Sequence, residues 1–395
     1  MDPLLAIIAC LFVAALLAEV CARVGIPRVI GHISAGMVLG LGPIRSVVFS
    51  SDSVWLLQML AQIGIILLLF FTGLEINLRL FVRNVALASN LSFWNTTLPL
   101  AGGFIVSRYV FGLEPSVSFI VGVCLSVTAT ALALDLLEEF KLLHTRFGNL
   151  VVAAGTVDDV YELLIITLAL SYIQATSVTT QFATMAGNAA ILALILLIAH
   201  HMLRRTSLWD IFQTRDSTLM VGILIPLAAA ALSSSLGFGY LIGALLAGIF
   251  IRHLLLIDRH PARVWQEHRL SHNIHTIAFG FLVPLFFVQV GMLTDVPSLG
   301  SNLPFAITIT IIGVAGTVIG CAIAHWLRDR QWRLGLLLGW ALNSKGDTEI
   351  VIATLALQAG ILTRDLFSSI IFMAVVSTLV SPIIFRRMLA TTTLK

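Results

Sequence analysis

The sequence predicts an all-α polytopic membrane protein with about thirteen transmembrane helices, and three observations carry that prediction. First, 58% of the 395 residues are hydrophobic and only 11% are charged, giving a mean hydropathy of +1.01 that no water-soluble domain of this length carries. Second, apolar runs long enough to cross a bilayer recur along the whole chain. Third, the basic residues sort by side: nineteen of the 23 Lys and Arg fall in one set of alternate connections, three (Arg45, Arg108 and Arg364) fall in the other, and Lys345 lies inside a run. That bias predicts a multi-pass protein of the cell (inner) membrane with its N-terminus outside and its C-terminus cytoplasmic. The net charge of +3 is too small to argue for a nucleic-acid partner.

In order, the runs cover residues 3 to 22, 27 to 43, 54 to 77, 85 to 110, 115 to 137, 148 to 172, 180 to 202, 217 to 236, 238 to 256, 272 to 294, 303 to 326, 334 to 360 and 366 to 389. The first opens with MDPLLAII, which lacks a basic n-region, and no A-x-A site follows it, so it is expected to be a retained helix. The second and ninth are short and glycine-rich. The connection from Leu256 to Ser271 mixes charges of both signs and reads as a solvated loop. Cys10, Cys21, Cys124 and Cys321 sit in apolar runs without metal-ligand spacing and read as packing residues. No globular domain is expected beyond the last run, so any regulatory domain would belong to a separate chain.

The sixth run holds Asp158, Asp159 and Glu162. A helix from 148 to 172 puts Asp158 about 15 Å from either end, near the bilayer midplane. Glu162, one turn on, lies angularly between the two aspartates, so the three acids share a face, and Glu162 is an accessory candidate. A single acid at that depth has a second, less favoured reading as a buried, hydrogen-bonded carboxylic acid; an adjacent pair points to an ion or proton pathway.

Two further runs contain polar interruptions. The fifth carries Ser126, Thr128 and Thr130 at mid-depth, where hydroxyls either bond back to their own helix or line an unwound segment that can meet a cation. The twelfth carries Asn343, Ser344, Lys345, Gly346, Asp347, Thr348 and Glu349, too polar a stretch to sit regularly in lipid. It predicts a broken helix, with the break at Gly346 and Lys345 neutralising Asp347 or Glu349. A weak repeat links GHISAGMVLG with GYLIGALLAG and LFFTGLEINL with LFFVQVGMLTD. Six helices, a linker helix at 180–202 and six more would form two inverted-topology repeats, with the two broken helices in corresponding places.

The segments GIPRVIGHISAGMVLGLGP, LAQIGIILLLFFTGLEINL, SVTATALALDLLEE followed by TVDDVYELL, PLFFVQVGM and NSKGDTEIVIA resemble, in this order and spacing, the monovalent cation/proton antiporters of the sodium/hydrogen exchanger fold, with the closest likeness to the potassium-efflux branch. The resemblance implies a homodimer, a dimerisation part at 1–84 and 217–294, and a core part at 85–172 and 303–390 in which two broken helices cross. It matches the family's ion-binding aspartate to Asp159, its preceding acidic or amide residue to Asp158, and its threonine-bearing break to Thr128 through Thr130. Two departures stand out. The lysine that many members carry in the span before the second broken helix is missing, with Gly316 or Thr317 in its place, and the nucleotide-binding domain of potassium-efflux members is not expected here.

The sequence therefore predicts a non-enzymatic antiporter exchanging Na+ or K+ for H+ by alternating access, without a cofactor. The monovalent cation would be held at Asp159 and Asp158 with oxygens from Thr128 and Thr130, because protonation and cation binding both satisfy the same buried charge. Membrane lipid is the remaining partner. A proton-coupled symporter or uniporter would add aromatic or Arg anchors that the core runs hardly supply. An intramembrane aspartyl enzyme needs its two aspartates on separate helices.

Overall fold

The computed structural model describes residues 2–75, 78–128, 133, 136–137, 140–142, 145–173, 215–236, 239–257, 272, 274–346 and 348–391. The linker run at 180–202, the charged connection at 258–271, Thr130 and Asp347 lie outside the described residues. The chain forms α1 (Pro3–Arg23), α2 (Arg28–Leu39), α3 (Gly42–Val48), α4 (Ser51–Glu75), α5 (Leu78–Tyr109), α6 (Pro115–Ser126), α7 (Arg146–Ile173), α8 (Arg215–Ser235) and α9 (Gly239–Ile257). A π-helical turn (Ala278–Leu282) leads into α10 (Val283–Leu293), followed by α11 (Val296–Ser301), α12 (Leu303–Asp329), α13 (Trp332–Leu342), α14 (Thr348–Gln358) and α15 (Arg364–Leu389). Among the described residues there is no strand, and five helical stretches are long and apolar enough to cross a membrane: Pro3–Arg23, Ser51–Leu74, Ile274–Leu293, Leu303–Asp329 and Arg364–Leu389.

Both polar interruptions are helix ends. α6 starts with a proline in its first turn, where the missing N–H costs nothing, and stops after 12 residues, with Val127 extended at φ −72° and ψ 143°. α13 stops at Leu342, and α14 resumes at Thr348. A 12-residue helix is about 18 Å long, well short of the roughly 30 Å hydrocarbon core. The second run, 27 to 43, is shorter than the sequence predicts: α2 ends at Leu39 with Gly40 as its cap, and the separate α3 follows.

The chain divides into two compact units, one made of 1–14, 43–76 and 170–289, the other of 15–42, 77–169 and 290–395. In the first, α4 meets α9 so closely that a methyl group on Gly248 would lie 2.2 Å from the Phe70 carbonyl oxygen. Arg252 Nη1 donates to the Leu74 carbonyl at 2.5 Å, satisfying an acceptor that the last turn of α4 leaves open. The second unit includes α2, which the sequence assigns to the 1–84 part. The reason is local: Gly291 packs onto α2 with no room for a side chain, a methyl there falling 2.0 Å from the Ile33 carbonyl oxygen.

The backbone of the second unit is the antiparallel pair α5 and α12. Asn90 donates to the Ala324 carbonyl at 3.2 Å, and Trp94 faces Gly320, Pro99 faces Gly316 and Gly102 faces Ile312. A methyl on Gly320 would lie 2.4 Å from the Trp94 carbonyl oxygen, and one on Gly316 would lie 2.8 Å from Pro99; such small residues allow the backbone approach on which helix pairs in lipid depend. Leu91, Phe147, Val151, Cys321, Leu338 and Phe385 close a buried cluster that brings α7, α13 and α15 onto this pair.

Candidate functional site

α7 runs through the second unit from Arg146 to Ala169 and carries Asp158 near its middle, fully buried. A lone buried carboxylate is costly unless its oxygens are satisfied, and here both are. The Ser92 hydroxyl donates to Oδ1, and Asn95 Nδ2 donates to Oδ2 at 2.9 Å. Ser92 and Asn95 are three residues apart on α5 and so share a face. The Cys321 thiol of α12 lies 3.7 Å from Asn95 Oδ1 as its donor, which fixes the amide with its NH2 toward Asp158. Three helices thus converge on one carboxylate.

Lys345, in the segment between α13 and α14, is fully buried. Its ammonium donates to the Leu125 carbonyl at 2.8 Å and to the Val127 carbonyl at 2.7 Å. These carbonyls belong to the end of α6, where a helix leaves its acceptors without N–H partners and concentrates negative dipole. The same ammonium acts electrostatically on Asp158. The sequence predicts Lys345 as a partner for Asp347 or Glu349; the structure adds the freed carbonyls of the other broken helix. Glu349, also fully buried, accepts at its backbone carbonyl from the Cys124 thiol at 3.8 Å, a second link between the two broken helices.

The remaining candidates play different parts. Ser126 bonds back to the Val123 carbonyl at 2.8 Å, so its hydroxyl finishes the helix. Thr128 is buried at the break. Asn343 donates from Nδ2 to the Ser381 hydroxyl at 2.9 Å, tying the end of α13 to α15, and Ser344 and Gly346 are buried beside it. Asp159 and Glu162 lie on α7, but their side chains are outside the described residues. Ser92, Asn95 and Cys321 are the contributors that sequence reasoning missed. Each is one polar residue in an otherwise apolar span, and the only available signal was that Ser92 and Asn95 are three residues apart. At the place where the resemblance leads one to expect a lysine, Gly316 is pressed against Pro99 and Thr317 is fully buried.

The arrangement offers a carboxylate with two fixed donors, next to a second aspartate in sequence, beside helix ends that expose carbonyls. Such a place can hold a proton or a small cation at low dielectric.

Comparison with known proteins places this geometry in a family. The Na(+)/H(+)-K(+) antiporter GerN of Bacillus cereus is 25% identical over 361 residues, covering 91% of this chain and 89% of that protein. A Na(+)/H(+) antiporter of Enterococcus hirae is 23% identical over 370 residues, covering 92% of each. The solved structure of the sodium proton antiporter MjNhaP1 from Methanocaldococcus jannaschii shares the fold with a TM-score of 0.67 at 15% identity, over 95% of this chain and 93% of that one. The family model described as sodium/hydrogen exchanger, transmembrane, matches residues 8–391, and the chain therefore belongs to the sodium/hydrogen exchanger family.

Proposed function

We propose that this protein is a secondary active antiporter that exchanges a monovalent cation, Na+ or K+, for H+ by alternating access. The observation that carries the reading is the buried Asp158 carboxylate, held by Ser92 and Asn95, adjacent in sequence to Asp159 and acted on by the buried Lys345. Family membership and the likeness to GerN, a protein named for Na+, H+ and K+, support the same reading. In the proposed cycle Asp159 binds either the cation or the proton, since each neutralises the same buried charge. Asp158 is the second ligand, and Thr128 and Thr130 supply neutral oxygens at the break.

The proposal extends to thirteen spans in two inverted repeats, crossing broken helices, an N-terminus outside, a cytoplasmic C-terminus in the cell membrane, and a homodimer. The nearly one-sided distribution of Lys and Arg supports the orientation, and the breaks at Val127 and after Leu342 support the pairing of repeats.

The test is proton-gradient dequenching in proteoliposomes that contain the purified chain, with Na+, K+, Li+ and Rb+ offered in turn. Dequenching by at least one of Na+ and K+ is expected. No response to any of the four would sink the proposal.

A further inference from the structure

Three neighbouring helices each carry a surface stripe that ends in an arginine. On α12 and its cap the stripe runs Ile319, Ile323, Trp326, Arg330; on α13 it runs Trp340, Leu336, Arg333; on α15 it runs Val376, Val380, Ile383, Arg387. Steps of three or four residues stack these side chains on one face of each helix, and none of them is buried. Behind the stripes, Ala324, Leu338 and Phe385 pack in one cluster, which brings the arginine-bearing ends of the three helices to the same side. At their other ends the stripes meet in a groove of about 420 Å³, lined by Val314, Val318 and Ile319 of α12, Trp340 of α13, and Val376 and Val380 of α15. The groove opens at Ile319, which is 49% exposed. It is apolar throughout: Thr310 also lines it, but its hydroxyl donates to the Ala306 carbonyl at 2.6 Å.

We propose that the groove and these arginines form a binding site for one anionic phospholipid, with its phosphate at Arg330, Arg333 and Arg387 and an acyl chain in the groove. The assignment rests on the reading of the chain as a multi-pass membrane protein and not on the ions it exchanges. The depth is right for a lipid. From arginine to groove the helix rise is about 10 Å on α13 and α15 and about 16 Å on α12, comparable to the roughly 15 Å of hydrocarbon in one leaflet. The charge is right as well. Asp329 lies 4.0 Å from Arg328, whereas among the described residues no carboxylate pairs with Arg330, Arg333 or Arg387. Guanidinium groups take phosphate oxygens two at a time, and basic pockets between membrane helices select anionic headgroups. Trp326 and Trp332, both exposed, have the Arg330 and Arg333 guanidiniums 4.6 Å and 5.8 Å from their ring centroids, a pairing suited to headgroup depth. α13 ends at Leu342, two residues after Trp340, and leads to Lys345, so a chain seated against Trp340 braces the helix that presents this ammonium.

The experiment is native mass spectrometry of the purified full chain in a neutral detergent, titrated with dioleoylphosphatidylglycerol or dioleoylphosphatidylcholine. The wild type is expected to bind one phosphatidylglycerol more tightly than phosphatidylcholine, by about tenfold or more. Arg330→Gln combined with Arg387→Gln should weaken phosphatidylglycerol binding about thirtyfold, because each basic side chain at a membrane surface contributes roughly a fivefold preference for anionic lipid. Arg328→Gln combined with Arg386→Gln removes the same charge from the same end but off the stripes, and should change that binding by less than about threefold. Ala315→Phe puts a ring into the groove from α12, where Ala315 lines it, and Val380→Phe does so from α15. Each should weaken phosphatidylglycerol about tenfold, with a lipid-free thermal midpoint near that of the wild type. Equal losses from the two arginine pairs would overturn the site, because the cluster then serves only to orient the chain in the bilayer. Equal binding of the two lipids by the wild type would overturn it too. So would wild-type phosphatidylglycerol binding in both groove variants, and if those variants also turn a dimer into a monomer, the groove belongs to a second copy of this chain.

Discussion

The Lys345 ammonium and the Val127 carbonyl oxygen are 2.7 Å apart, although 218 positions separate the two residues in sequence. The end of one interrupted helix is therefore held by a charge from the interruption of the other. The first break frees carbonyls, the second buries an ammonium, and the two hydrogen bonds between them satisfy part of what each break leaves open.

Lys345→Met removes both hydrogen bonds at nearly constant volume and leaves two buried carbonyls unsatisfied. A loss of about 3 kcal/mol is expected, since hydrogen bonds to charged groups contribute roughly 1.5 to 3 kcal/mol each. The thermal midpoint in detergent should fall further than it does for Asp159→Asn. A double cycle with Glu349→Gln then measures whether that carboxylate shares the charge, with coupling of about 1 kcal/mol expected between groups in one network. An unchanged midpoint in Lys345→Met would remove the carbonyl clamp from the account.

Asp159→Asn keeps the shape of the side chain and deletes its charge. Exchange should be abolished, with expression and thermal midpoint close to wild type, as measured by dequenching and scanning fluorimetry on one preparation. Exchange near the wild-type rate would reassign the ion-binding residue.

Asp158→Asn should behave differently, because its partners can adapt. The Asn95 amide still finds an acceptor in the new side-chain oxygen, and the Ser92 hydroxyl, which donates to Asp158, can turn to accept from the new NH2. Measurable exchange with altered cation affinity is expected, and transport by the wild type should not respond to an imposed membrane potential. The check is the exchange rate with and without a valinomycin-set potential, using a transported ion other than the one that sets it. Clear acceleration by potential, or a dead variant, would mean that Asp158 cycles its own charge.

Gly316→Lys, which installs a basic residue where the family resemblance leads one to expect it, should destabilise the protein. A methyl alone would lie 2.8 Å from Pro99, and overpacking of this kind costs about 1 to 3 kcal/mol. Gly42→Ala, where an added methyl meets nothing within 4 Å, is the matched control and should stay within about 0.5 kcal/mol. Thermal midpoints of the two variants decide the matter, and a Gly316→Lys protein as stable as the control would show that the helix pair opens easily.

What could be read from sequence and what could not divide along a physical line. The breaks at Val127 and after Leu342 were legible because polar runs cannot be lipid-facing helix, and Asp158 was legible from its depth. Ser92, Asn95 and Cys321 were not, since their meeting depends on the antiparallel register of α5 and α12, which close contacts such as Trp94 on Gly320 set and no local pattern encodes. The acceptors of Lys345 were hidden for another reason: every residue has a carbonyl, and only a helix end makes one available.

The close fit of α5 on α12 carries a thermodynamic consequence for the proposed cycle. Ser92 and Asn95 sit on α5, Cys321 on α12 and Asp158 on α7, all within one compact unit, so a rocking movement of that unit carries the carboxylate together with its hydrogen-bonding shell. Asp158 then meets the same neighbours whether the site opens inward or outward, and this shell contributes no bias between the two orientations. In the proposed cycle that shell supplies no rectifier, and the direction of exchange is left to the ions on either side.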